Sequence, residues 1–118
     1  YKSLWGLFLI PTLLLAQNEI NDAYFNYLQQ IYFENNSGDY NSFLRNELNQ
    51  YLQIIPNTSQ QQQILNMLAH VEFSGNHYPQ SFLNYVKIVF FYPQSKTAEQ
   101  AKTILSKLFN RFPNIQFA

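Results

Sequence analysis

Tyr92-Pro93-Gln94-Ser95-Lys96-Thr97-Ala98-Glu99-Gln100-Ala101 reads as the end of one helix, a tight corner and the start of the next. Pro93 lacks a backbone N–H and restrains Tyr92 to extended conformations, so a helix running into it stops there. Thr97 and Gln100 have the spacing of a capping box, in which each side chain satisfies a backbone N–H of the new helix. A weaker copy of this corner lies upstream as Ile55-Pro56-Asn57-Thr58-Ser59, with Ser59 and Gln62 as its capping pair.

Working outward, the chain on either side carries apolar residues at helical spacing. Ile20, Ala23, Tyr24, Tyr27, Leu28, Ile31 and Tyr32 form one stripe, which Asn36-Ser37-Gly38-Asp39 interrupts. Phe43, Leu44, Leu48, Tyr51, Leu52 and Ile55 form the second, ended by Pro56. Ile64, Leu65, Leu68, Ala69 and Val71 form the third, up to Gly75-Asn76-His77. Pro79 suits the first turn of the next helix, whose stripe reads Phe82, Leu83, Val86, Val89 and Phe90. Ala98, Ala101, Leu105 and Leu108 make the fifth, closed by Pro113. These patterns predict helices near 20–35, 40–55, 60–74, 79–92 and 97–110.

The punctuation repeats. Gly38 to Gly75 and Pro56 to Pro93 have the same spacing, 37 residues, and Tyr40 to Tyr78 adds one more. A helix-turn-helix unit of that period is the mark of an α-solenoid. The predicted fold is all-α: an α-α superhelix of two helical hairpins, about 20–55 and 60–92, with a C-terminal capping helix about 97–110. Residues 1–16 stand apart from this domain of residues 17–118. Lys2 precedes an uncharged run from Leu4 to Ala16, the form of a secretory signal, and a signal-like hydrophobic helix is expected there. The run is short for a span of about 30 Å of hydrocarbon.

Composition narrows the chemistry. A hydrophobic fraction of 47% in 118 residues supports one folded domain. Charged residues make up only 12% and the net charge is zero, which gives no electrostatic footprint for nucleic acid. The charges are segregated: five acids and one base lie between Glu19 and Glu47, and five bases and two acids between Glu72 and Arg111. The sequence has no cysteine, which excludes disulfides, thiolate ligands and a cysteine nucleophile. His70 and His77 are the only imidazoles and have no metal-binding spacing. His70 with Glu72 is the best acid–base pair on offer, and an ideal helix turns the two apart. No phosphate-binding glycine loop or nucleophile elbow occurs. The expectation is a non-enzymatic protein without cofactor or metal.

The corner Tyr92–Ala101 resembles the Tyr-Pro-x-Ser-x-x-Ala-x-x-Ala motif of the tetratricopeptide (TPR) family, with Tyr92, Pro93, Ser95, Ala98 and Ala101 at its fixed positions. The likeness is to the bacterial envelope subgroup that includes BamD-like outer-membrane assembly proteins and the periplasmic Tol-Pal-associated repeat protein. Leu68-Ala69 matches the family's pair in the first helix of a hairpin, and Gly38-Asp39-Tyr40 its turn, with Asn76-His77-Tyr78 a looser copy. Two departures stand out: Gln29 follows Leu28 where the family has Gly or Ala, and the lipid-bearing cysteine of BamD-like proteins has no counterpart.

The resemblance implies a protein–protein interaction scaffold of the bacterial cell envelope, exported and periplasmic or envelope-associated. It would bind a peptide or partner helix along a groove lined by the first helix of each hairpin. By register with Leu68-Ala69, Gln63, Asn66, His70 and Phe73 would face that groove, and Gln29 and Phe33 would do so on the first hairpin. The alternative is an N-terminal accessory repeat domain or fragment of a larger exported protein, or a membrane-tethered scaffold with an uncleaved leader. Open apolar ends of a short solenoid, with little charge to repel, also point to self-association.

Overall fold

A computed structural model describes residues 19–55 and 58–113. The signal-like run over residues 1–16, the second corner's Pro56 and the tail with Ile115 and Phe117 lie outside the described residues. Every element among the described residues is helical. The helices are α1 over residues 19–34, α2 over Asn41–Ile54, α3 over Thr58–Ser74, α4 over Tyr78–Phe91 and α5 over Lys96–Arg111. Each described boundary falls within two residues of the position predicted from proline, glycine and apolar spacing. The chain divides into two compact units, Tyr1–Glu34 and Asn35–Ala118.

In the first unit, Phe25 and Leu28 are the buried apolar residues of α1. The stripe predicted there is only partly realised, since Ile20 and Tyr27 are exposed and Phe25 was not in it. Tyr24 and Tyr27 lie one turn apart with ring centroids at 6.5 Å, and Tyr32 meets Phe33 edge-on.

In the second unit, α2 packs on α3, α3 on α4 and α4 on α5, and α3 also reaches α5. The turns before α2 and before α4 each use a left-handed residue to reverse the chain. Gly38 has φ +81°, and Asn76, one of the few non-glycine residue types that tolerates it, has φ +66°. The two have the spacing of Tyr40 and Tyr78, so the looser match Asn76-His77-Tyr78 is the one the backbone follows. At α3 the stop is a Schellman motif. The N–H of His77 donates to the Glu72 carbonyl at 2.7 Å and that of Asn76 to the Phe73 carbonyl at 3.1 Å.

The core of this unit is built on close backbone approach. Ala69, Ala98 and Ala101 are buried where helices meet, with Leu65, Phe82, Tyr85, Ile88 and Leu108 filling the space around them. Leu44, Leu48, Tyr51, Ile64 and Leu68 are buried as well. The fifth stripe holds, with Leu105 partly buried beside Ala98, Ala101 and Leu108. The third stripe is buried throughout, and the second holds except for Phe43, which is exposed.

The fourth stripe does not hold. The buried face of α4 is Ser81, Phe82, Asn84, Tyr85 and Ile88, whereas Leu83, Val86 and Phe90 are exposed. The sequence Phe82-Leu83-Asn84-Tyr85-Val86-Lys87-Ile88-Val89-Phe90-Phe91 is apolar nearly all round, so periodicity alone selects no face. Two polar residues decide it. Ser81 Oγ donates to the Ala69 carbonyl at 2.7 Å, and Asn84 Nδ2 donates to Glu72 Oε1. Satisfied in this way, small polar groups are admitted to a buried face, and Ser81 lets α4 come close to α3.

Both capping boxes are also corrected. α3 begins at Thr58, so Ser59 lies inside the helix. At α5 the cap is Ser95, two residues before Thr97: its Oγ accepts from the Ala98 N–H at 3.0 Å and donates to the Tyr92 carbonyl at 2.8 Å. Ser95→Ala is expected to lower stability by about 1 kcal/mol, and Thr97→Ala by much less. Urea unfolding of the two variants checks the assignment of the cap.

Gln61 ties the two proline corners together. Its Nε2 donates to the Ile55 carbonyl at 2.8 Å, and its Oε1 accepts from the Tyr92 hydroxyl at 2.7 Å. Ile55 is the extended residue before Pro56 and Tyr92 the residue before Pro93. Gln61→Ala removes both bonds and is expected to cost about 1–2 kcal/mol. Tyr92→Phe is expected to give roughly half of that loss, again read from urea unfolding midpoints.

Candidate functional site

Four helices' side chains supply the chemistry of the second unit, and they gather in two places. The first is a pocket of 320 Å³ in the region where α3, α4 and α5 meet. α3 contributes His70 and Phe73, α4 contributes Tyr85, and α5 contributes Ile104, Lys107, Leu108 and Arg111. On α3, residues one turn apart share a face, which is why His70 and Phe73 appear together. On α5, Ile104, Lys107, Leu108 and Arg111 follow the same rule.

The floor of this pocket is apolar and aromatic. Tyr85 is almost fully buried, and the His70 ring meets it edge-on at 5.7 Å. Burial pushes the His70 imidazole below its ordinary pKa, because the charged form loses hydration there. Two of the lining residues, Phe73 and Arg111, continue into an aromatic column. Phe73 meets Tyr78 edge-on at 5.2 Å, Tyr78 stacks on Phe112 at 4.5 Å, and the Arg111 guanidinium lies over the Phe112 ring at 5.3 Å. The rim is basic: Lys107 and Arg111 are exposed, and no acid is among the lining residues.

The second gathering place is polar and lies where α2 meets the α3–α4 turn. Glu72 is 2% exposed, held by Asn84 of α4, with the Arg45 Nε of α2 at 3.7 Å from its Oε2. Arg45 Nη1 lies 3.4 Å from His77 Nε2. Burial raises the Glu72 carboxyl above its ordinary pKa, while the Asn84 hydrogen bond and the Arg45 and Lys87 charges work against that rise.

Of the six groove residues predicted, His70 and Phe73 come together in the first pocket. Gln63 is exposed and Asn66 half-buried, and neither lines it. On α1, Gln29 is half-buried and Phe33 is 70% exposed with its ring against Tyr32. Tyr85, Ile104, Lys107 and Arg111 were not foreseen. The α5 residues Ile104, Lys107, Leu108 and Arg111 share one face by helical spacing, but nothing local says that this face meets α3. Tyr85 follows from the re-aimed face of α4.

His70 packs on Tyr85, while Glu72 is engaged by Asn84 and Arg45, so the pair does not form an acid–base couple. Among the described residues no three His, Asp or Glu side chains converge as metal ligands, and no helix is long and apolar enough to cross a membrane. No family model, curated protein or solved structure matches the chain.

Proposed function

We propose that the chain is a non-enzymatic protein–protein interaction scaffold, a TPR-like solenoid that holds an extended peptide or partner helix against α3 and α5. The observation that carries this reading is the pocket with an aromatic and aliphatic floor and a basic rim. Such a site suits a partner segment with an apolar anchor beside aspartate or glutamate: the anchor buries apolar surface and the acid meets Lys107 and Arg111. The order of helix neighbours, with α3 touching both α4 and α5, is the one that stacked hairpins produce, and it supports treating α3 and α5 as first helices of successive units. The bacterial envelope setting rests on the likeness of the Tyr92–Ala101 corner and on the leader-like residues 1–16.

Selection from a random peptide library tests the reading. Enrichment of sequences pairing an aromatic or aliphatic residue with an acid is expected. Their affinity should fall with salt and be lost in the Lys107→Glu/Arg111→Glu double variant, with Gln50→Glu on the exposed side of α2 as the control for added negative charge. No enrichment, or binding indifferent to the charge reversal, would overturn it.

Self-association is the second reading, favoured by the exposed apolar residues Leu83, Val86 and Phe90 along one side of α4. Sedimentation equilibrium is expected to show a dimer that Val86→Glu abolishes, and a monomer at all concentrations excludes it.

A further inference from the structure

The polar pocket beside Arg45 has no part in the peptide groove. It measures 280 Å³ and is bounded by Asn41, Ser42, Arg45, Asn46 and Asn49 of α2 and by His77, with Val71 and Gly75 behind. No carboxylate lines it. We propose that this pocket is a binding site for a small oxyanion, a carboxylate or a phosphate group, received by the Arg45 guanidinium.

Four observations converge on it. Arg45 supplies the charge of this pocket, and its ion-pair partner Glu72 is not among the lining residues. The Arg45 Nε is buried with no hydrogen-bond partner among the described residues, and the nearest acid oxygen, Glu72 Oε2, stands at 3.7 Å. Glu72 Oε1 accepts from Asn84 Nδ2, so Glu72 meets the guanidinium through Oε2 alone, on the Nε side. A planar guanidinium presents further N–H donors in the fork that matches a carboxylate or phosphate.

The second observation is the donor set. Asn41 Oδ1 accepts from Asn35 Nδ2 at 2.7 Å, which leaves the Asn41 Nδ2 as a donor. Ser42 and Asn46 add a hydroxyl and an amide to the lining. Third, Asn41 and Ser42 open α2, a helix of 14 residues with no acid in its first turn and no side-chain cap at Tyr40. The first-turn amides of such a helix carry partial positive charge toward an anion. Fourth, Asn49 Nδ2 donates to the Arg45 carbonyl at 2.8 Å, which leaves Asn49 Oδ1 as an acceptor. That oxygen suits a protonated phosphate oxygen or a hydroxyl next to the carboxylate.

The two chemistries separate in one experiment. The full chain, ¹⁵N-labelled, is titrated with inorganic phosphate and, in a parallel series, with acetate, each against sodium chloride at matched ionic strength. Saturable shifts of the Ser42, Asn46 and His77 backbone amides are expected with at least one oxyanion and not with chloride. Saturation with phosphate alone assigns a phosphate group, and saturation with acetate assigns a carboxylate.

Arg45→Gln is expected to weaken binding by at least about tenfold, the loss of a charge-assisted pair. Ser42→Ala, an exposed position outside the core, is expected to weaken it several-fold with the spectrum otherwise unchanged, and it decides the matter if Arg45→Gln does not fold. Shifts that stay linear in both series, that map elsewhere, or that persist unchanged in the folded variants would overturn the proposal.

Discussion

Leu68→Ala is expected to destabilise the protein by about 2–5 kcal/mol. Leu68 is fully buried in α3, the helix that touches α2, α4 and α5. The loss has two parts: the transfer of the missing carbon atoms from water and the void left where neighbouring helices hold their places. Close-packed interiors relax only partly around such a void. Gln80→Ala, on an exposed position of α4, is the reference and is expected to stay within about 0.5 kcal/mol of the parent. Urea unfolding followed by circular dichroism measures both, and equal small effects would remove α3 from the centre of the fold.

Arg45→Met is expected to give a loss that depends on pH. Removing one partner of a fully buried ion pair costs roughly 3–5 kcal/mol. Arg45 is 34% exposed, so solvent screens it and the expected loss near neutrality is smaller, about 1–3 kcal/mol. The sign follows from Glu72. Burial raises the Glu72 carboxyl above its ordinary pKa, so over the window just above the usual carboxylate range the folded state holds more protons than the unfolded chain. Stability on this account is fully present below the ordinary carboxylate pKa and is lost as pH rises through the folded one. Without the Arg45 charge the rise in pKa is steeper and the loss larger. The difference between Arg45→Met and the parent should therefore be small in acid and grow toward neutrality. Adding Glu72→Gln to Arg45→Met should flatten it. A difference independent of pH would mean that Arg45 acts only through the packing of its stem.

Much of this architecture was legible in the chain because its helix ends are marked by residues with one local meaning. Pro93 and Pro113 stop α4 and α5 by covalent geometry, and Gly38 and Asn76 turn the chain because both accept positive φ. Helix faces were legible only where apolar and polar residues alternate clearly. α5 shows this pattern, with Ala98, Ala101 and Leu108 inside. α4 does not, and its face is chosen by the Ser81 bond to the Ala69 carbonyl and the Asn84 bond to Glu72, both to residues of α3 that are distant in sequence. No local pattern encodes a partner on another helix. The same holds for the pocket where α3, α4 and α5 meet. His70 and Phe73 share a face of α3 by helical spacing, whereas Tyr85, Lys107 and Arg111 join them through the packing of α4 and α5 against α3.

Photo-crosslinking tests the scaffold reading most directly. A benzophenone side chain is placed in the full chain at Ile104, which lines the pocket of α3, α4 and α5, and in a second protein at Gln50, exposed on α2. Each is irradiated with a library-selected acidic peptide of the predicted composition. The account predicts a single covalent adduct from Ile104, none from Gln50, and loss of the Ile104 adduct when Lys107 and Arg111 are both changed to glutamate. Equal adducts from the two positions, or an Ile104 adduct indifferent to the charge reversal, would contradict it.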